Sequence, residues 1–84
     1  MSCFVYILEC ADGSLYTGST NDLEKRLHEH NNLKSGAHYT KIRRPVVLKY
    51  SETVPDFATA RAREAELKRW TREQKLALVS MAVV

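Results

Sequence analysis

Cysteine, glycine and proline are scarce in this chain: its 84 residues hold two, three and two of them. Two cysteines do not make a disulfide scaffold, and Cys3 and Cys10 stand seven residues apart in one strand-like stretch. An odd separation sends their side chains to opposite faces, so both are expected as reduced, structural thiols. No CxxC and no Cys/His cluster suggests zinc. Internal repeats and low-complexity stretches are absent. No apolar run approaches the roughly 20 residues that span a bilayer, and the N-terminus lacks the charged-then-apolar layout of a signal peptide. A cytoplasmic location is the expectation. Acidic residues are missing from one segment, residues 34–49, which carries the five cations Lys34, Lys41, Arg43, Arg44 and Lys49. A one-signed segment suits a phosphate backbone, and equally a solvated basic loop.

Hydrophobic residues at 44% and charged residues at 27% describe a globular chain, read as a single domain over residues 1–84 with one modest core. Residues 3–10, rich in aromatic and β-branched side chains, read as a strand, and residues 14–20 as its hairpin return. Asn21, with Glu24 three residues on, reads as a capping box opening a helix that runs to about Asn31. A polar loop extends to Arg44, and Pro45 opens a third strand over residues 46–52. A second helix spans residues 57–70, and Thr71 with Gln74 caps a third. Residues 76–84 are apolar and are expected to pack on the sheet or fray. The order ββαβαα gives an α+β fold: a small, antiparallel-rich, three-stranded sheet flanked by helices.

Several polar residues fall where apolar ones belong. In the first helix Leu23, Leu27 and His30 share a face with Arg26 beside it, whereas Lys25, His28 and Glu29 point to solvent. Burying a His and an Arg together requires a polar or anionic partner. In the second helix Phe57, Ala60, Glu64 and Leu67 line one stripe, which leaves Glu64 needing either a buried Arg or a metal ion. Tyr6 and Tyr16 share a side of the hairpin if its loop is Ala11-Asp12-Gly13 with Gly13 left-handed. They oppose each other across the sheet if the loop is two residues. The three-residue loop is preferred because glycine sits where it is needed. Gly18 within a strand suggests a bulge or a close approach of backbone to ligand. Each feature alone is compatible with ordinary packing. Together they describe a phosphodiester site.

At this point the chain resembles the GIY-YIG nuclease family. Phe4-Val5-Tyr6 stands at the first signature triplet and Tyr16-Thr17-Gly18 at the second. The run from Asn21 to Leu27 resembles the family's Asp-Leu-x-x-Arg helix, His30-Asn31 its following His-Asn pair, and Ala60 with Glu64 its metal-binding helix. Gly36-Ala37-His38-Tyr39-Thr40 followed by Arg43-Arg44-Pro45 is most similar to small single-domain bacterial members. Phe4 and Thr17 depart from the glycine and isoleucine of the two triplets. The resemblance implies a one-metal endonuclease in which Glu64 binds Mg²⁺ or Mn²⁺ and Tyr6 or Tyr16 serves as general base or water-orienting group. Arg26 would neutralise phosphate charge and His30 shuttle a proton or hold Tyr6. A tyrosine with a pKa of about 10 is a poor base, so Arg26 and the metal are expected to lower it. Nucleic acid, DNA first, would be the substrate, met by Lys34, His38, Lys41, Arg43 and Arg44. The alternatives are an inactive nucleic-acid-binding module using residues 34–44, and an interaction domain whose partner supplies specificity. The chain itself is expected as a monomer or weak dimer.

Overall fold

The computed structural model describes residues 2–32 and 38–81, the His38 side chain excepted. The chain forms β1 (Cys3–Glu9), β2 (Leu15–Thr20), α1 (Leu23–Asn32), α2 (His38–Lys41), β3 (Val47–Val54), α3 (Phe57–Lys68) and α4 (Arg72–Met81). The expected sequence of strands and helices is present, with α2 added as a single turn in what reads as a polar loop. Both neighbours pair with β1 in antiparallel fashion, in the order β2-β1-β3. As the central strand, β1 buries Cys3, Val5, Tyr6, Ile7 and Leu8 on both faces, which is why its sequence is nearly continuous in apolar residues.

Alternate residues of β1 serve two cores. Val5 and Cys3 pack with Val54, Ala60 and Leu67 beneath α3, joined by Trp70 and Leu78. Tyr6, Leu8 and Cys10 pack with Val46, Tyr16, Leu23, Leu27 and Leu48 beneath α1. The two free cysteines are therefore buried in separate clusters. A bulge on β3 sets this geometry: Tyr50 faces Ile7 and Leu48 faces Leu8, leaving Lys49 without a direct partner in the register.

Local chemistry explains the boundaries. Cys10 donates to the Ser14 carbonyl at 2.8 Å around Ala11-Asp12-Gly13, and Gly13 adopts φ 84°. The three-residue loop thus puts Tyr16 opposite Leu8 and Gly18 opposite Tyr6, so both tyrosines lie on one face. The cap of α1 is Asp22, whose Oδ1 accepts from the Lys25 amide at 3.1 Å. The expected Asn21 stands one residue too early. Asp56 caps α3, accepting from the Thr59 amide at 2.7 Å. Thr71 and Gln74 cap α4 reciprocally, at 2.9 and 3.2 Å.

Two burial expectations change. Ala60 and Leu67 are fully buried, but Phe57, in the first turn of α3, is exposed. Glu29 does not point to solvent; it is half-buried against Arg26. Within α4, Leu78 packs on the core while Leu76 and Met81 are exposed; residues 82–84 lie outside the described residues. No described helix is long and apolar enough to cross a membrane.

Candidate active site

The α1 face of the sheet places Tyr6 at its centre. Its ring lies under Gly18 of β2, so closely that a Cβ at Gly18 would stand 2.5 Å from the Tyr6 hydroxyl and 2.7 Å from Cζ. The close approach expected at Gly18 is therefore to a side chain of this protein. The bulge lies on β3. The Tyr6 hydroxyl meets His30 Nε2 at 2.8 Å and is hydrogen-bonded by Arg26. Both partners come from α1, four residues apart and therefore on one side of the helix.

His30 is fully buried and bonded at both ring nitrogens, with Thr40 Oγ1 2.7 Å from Nδ1. Thr40, in α2, is itself fully buried. Arg26 has its counterion one turn on, with Glu29 Oε1 at 3.3 Å. Polar partners from β1, α1 and α2 thus meet the buried His30 and the partly buried Arg26.

Burial dominates the titration of this cluster. It pushes Tyr6 up to about 12, and the hydrogen bond and charge of Arg26 only partly oppose it. The sequence-based expectation of a lowered phenol is reversed in these protein groups alone: near neutral pH Tyr6 is a phenol. Burial, with the positive charges of Arg26 and Arg44, pushes His30 down to about 4, Glu29 acting the other way. His30 is accordingly a neutral imidazole.

Tyr16 flanks the cluster. Its ring packs edge-on to His30 with centroids 5.2 Å apart and stacks on Tyr39 at 5.9 Å. The Arg43 guanidinium lies 4.0 Å over Tyr39 and is tethered to Asp12 Oδ2 in the hairpin loop at 3.0 Å. Hydrogen bonds from Ser14, with Arg43 assisting, hold the Asp12 carboxyl below the usual range.

Glu64 approaches from α3 at the β2 edge. Ser19 donates to its Oε1 at 2.6 Å, and Lys68 Nζ stands 2.7 Å from Oε2. Burial raises its pKa, but the hydrogen bonds from Lys68 and Ser19 outweigh that and leave it ionised. Among the described residues its ionic partner is not the buried Arg offered as one alternative. It is the lysine one turn along its own helix. The charge of Glu64 is felt at Tyr6.

The basic segment divides. Lys41 is exposed. Arg43 is engaged with Asp12 and with the Tyr39 carbonyl at 3.1 Å. Arg44 closes the end of α1, its Nε donating to the His30 carbonyl at 2.6 Å and Nη2 to that of Glu29 at 3.2 Å. Lys34 and the His38 side chain lie outside the described residues. Asn31 completes the lock: its side chain both accepts from and donates to the Val46 backbone, at 2.8 and 3.1 Å.

Sequence reasoning did not single out Thr40, Ser19, Lys68, Tyr39 or Glu29 as part of the cluster. Lys68 carried a signal, four residues beyond Glu64 on the same helix. Thr40 stands in the run of residues 36–40 that resembles small bacterial members, but a one-turn helix has no periodicity from which to read its partner.

Known proteins resemble this chain over most of its length. Residues 2–77 match the GIY-YIG catalytic domain. A UPF0213 protein of Staphylococcus epidermidis is 55% identical over 76 residues, covering 90% of this chain and 92% of that one. One from Syntrophus aciditrophicus is 53% identical, covering 90% of this chain and 87% of its own. The solution structure of a UPF0213 protein from Bacillus halodurans superimposes with a TM-score of 0.61 at 42% identity, over 96% of this chain and 85% of that one. Matched over residues 2–77 and more than half identical to relatives along 90% of its length, the chain belongs to the GIY-YIG family and resembles its small bacterial UPF0213 members.

Proposed function

We propose that this chain is a metal-dependent nuclease hydrolysing nucleic-acid phosphodiesters, with DNA as its first candidate substrate. The observation that carries the reading is the gathering of Tyr6, Tyr16, Arg26 and His30 on the α1 face of the sheet, joined by an ionised Glu64 at the β2 edge whose charge is felt at Tyr6. Family membership supports a nuclease assignment in general.

The metal fits the donor set in a limited way. Among the described residues no group of three or more His, Cys, Asp or Glu side chains could cage an ion. Mg²⁺, however, commonly takes one or two carboxylates and completes its shell with water and substrate phosphate. Glu64, held ionised, is the residue that would hold it, and the Lys68 ammonium already marks the position as one that attracts a cation. When bound, a divalent ion would supply charge stabilisation for the phosphate and the leaving oxygen.

The chain's own groups supply the rest. Arg26, turned inward by its position on α1, offers donors for the charge that develops on the phosphate. Tyr16, half-buried and fixed against His30 and Tyr39, can orient a water. Tyr6 is a poor reservoir of phenolate, since it is pushed up to about 12. It acts instead as a hydroxyl that accepts the water's proton as its own passes to His30 Nε2, 2.8 Å away. At rest neither group is ionised, so proton movement belongs to the transition state.

Wild type and Glu64→Ala, incubated with single-stranded, duplex, flapped and branched DNA and with RNA, test the reading. Cleavage by wild type, only with Mg²⁺ or Mn²⁺ and lost in the variant, is expected. Equal cleavage by both would sink the assignment. Salt-sensitive binding without product would favour a binding module.

A further inference from the structure

The Tyr6 hydroxyl has two side-chain partners of unlike chemistry. Arg26 carries five N–H donors and no acceptor, so it can only donate to the phenol oxygen. The Tyr6 proton therefore points at the other partner, His30 Nε2, which must be unprotonated to receive it. A neutral imidazole carries one N–H, which then sits on Nδ1. That nitrogen faces Thr40 Oγ1 at 2.7 Å, and a threonine hydroxyl can accept while donating its own proton elsewhere. All three side chains are at most 2% exposed, so water does not compete for these bonds.

We infer that Thr40 is a positioning residue: its hydroxyl holds His30 in the Nδ1–H tautomer and so keeps Nε2 open as acceptor for the Tyr6 proton. Thr40 touches neither the reacting oxygen nor the phosphate. It acts through His30: by accepting from Nδ1–H it stabilises the tautomer that the Tyr6 proton and Arg26 require. With Nε2 unprotonated, the remaining lone pair of Tyr6 is free to take a proton from water. In the opposite tautomer His30 would donate to Tyr6. The phenol would then receive from His30 and Arg26 together, and its own proton would have no acceptor in the cluster. The arrangement also gives α2 a purpose, since this single turn delivers Thr40 under the α1 histidine. The catalytic consequence rests on the nuclease reading; the tautomer does not.

Long-range ¹H–¹⁵N correlation of the imidazoles at neutral pH tests it directly, with His30 assigned by signals that vanish in His30→Gln. The expected result is an Nδ1–H, Nε2-unprotonated ring in wild type and Thr40→Ser, and loss of that single tautomer in Thr40→Val. Cleavage should fall roughly ten- to a hundred-fold in Thr40→Val, by analogy with the hydrogen-bond partners that orient metal-ligating histidines. The loss should appear in kcat with KM kept, and Thr40→Ser should restore it. An Nε2–H ring in wild type, or the same fixed tautomer in Thr40→Val, overturns the inference. If Thr40→Val does not fold, the wild-type ring and Thr40→Ser still decide. The expected tautomer in a protein that cuts nothing would leave the positioning intact and remove only the nuclease reading.

Discussion

Beneath α3 the sheet buries Cys3, Val5, Val54, Ala60 and Leu67, whereas beneath α1 and α2 it buries Tyr6, His30 and Thr40 among leucines. Both sets hang from the same central strand, whose successive side chains point to opposite faces. On the α3 side stability comes from apolar burial, and a polar atom there is an intruder: Thr17 Oγ1 is buried without a partner. On the α1 side every polar atom just named has a partner within 2.8 Å. One strand can therefore carry chemistry on one face because the other face supplies the packing. The difference is that buried polarity is tolerable as a closed network and a liability as a single atom.

Acid should expose the network side first. In the unfolded chain His30 titrates near 6.5, and in the folded chain burial and the neighbouring arginines push it down to about 4. Between those values the unfolded state takes up a proton that the folded state refuses, so stability falls as pH drops through this window. The contribution is on the order of 3 kcal/mol once pH approaches the folded value. Carboxylates held low, such as Asp56, also lose stability as pH falls through their own folded values. The informative quantity is thus the difference between wild type and His30→Gln. Denaturant melts from pH 7.5 down to 4.5 should show the steeper loss in wild type; parallel curves would mean that His30 is not held neutral.

Gly18 is where the network touches the neighbouring strand. Alanine there places Cβ 2.5 Å from the Tyr6 hydroxyl, and the ring must tilt away from His30. Overpacking of this kind costs about 1–3 kcal/mol. Gly18→Ala is expected to melt earlier and to lose cleavage together, because the displaced atom is the one facing Nε2. Wild-type melting and activity in this variant would show that the ring has room the geometry denies.

A matched pair of substitutions sharpens the contrast between faces. Thr17→Val removes the orphan hydroxyl at constant shape and should stabilise by about 1 kcal/mol. Thr40→Val deletes a hydroxyl that is used, leaving His30 Nδ1 without its threonine, and should destabilise by about 1–3 kcal/mol. The same chemical change then has opposite signs on two sides of one sheet. Equal signs in thermal melts would break the comparison.

Much of this organisation was legible in the sequence, and the failures have physical reasons. Strand alternation and Gly13 placed both tyrosines on one face, and helix periodicity turned His30 and Ala60 inward. Those are properties of local repeat and turn chemistry. What periodicity could not supply was the partner of each polar group. Glu29 lies on the solvent side by angle alone, yet the reach of Arg26 draws it in. Phe57 fits the apolar stripe but sits in the first turn of α3, where the helix has not yet met the sheet. The partners of Arg44 and Arg43 within the chain, a carbonyl and a carboxylate, are 14 and 31 residues away in sequence and equally out of reach of periodicity. The direction of the Tyr6 shift was missed for the same reason, since desolvation depends on the whole fold.

Lys68 offers the smallest and most discriminating effect. Its ammonium stands 2.7 Å from Glu64 Oε2, on the oxygen that Ser19 leaves available. A divalent ion approaching Glu64 must compete with it. The lysine side chain is half exposed, so the pair is worth only a fraction of 1 kcal/mol up to about 1. Removing it should therefore tighten Mn²⁺ binding by about two- to five-fold, with little change in melting temperature. Paramagnetic broadening of amide signals around Glu64, titrated without nucleic acid, reads this independently of turnover. Lys68→Gln is expected to saturate at lower Mn²⁺ than wild type, and Glu64→Gln to show no localised broadening. Weaker binding in Lys68→Gln would instead mean that the ammonium supports the site, for instance by fixing the Glu64 rotamer. The α3 ion pair would then belong to the network side of the sheet, although its helix packs on the other.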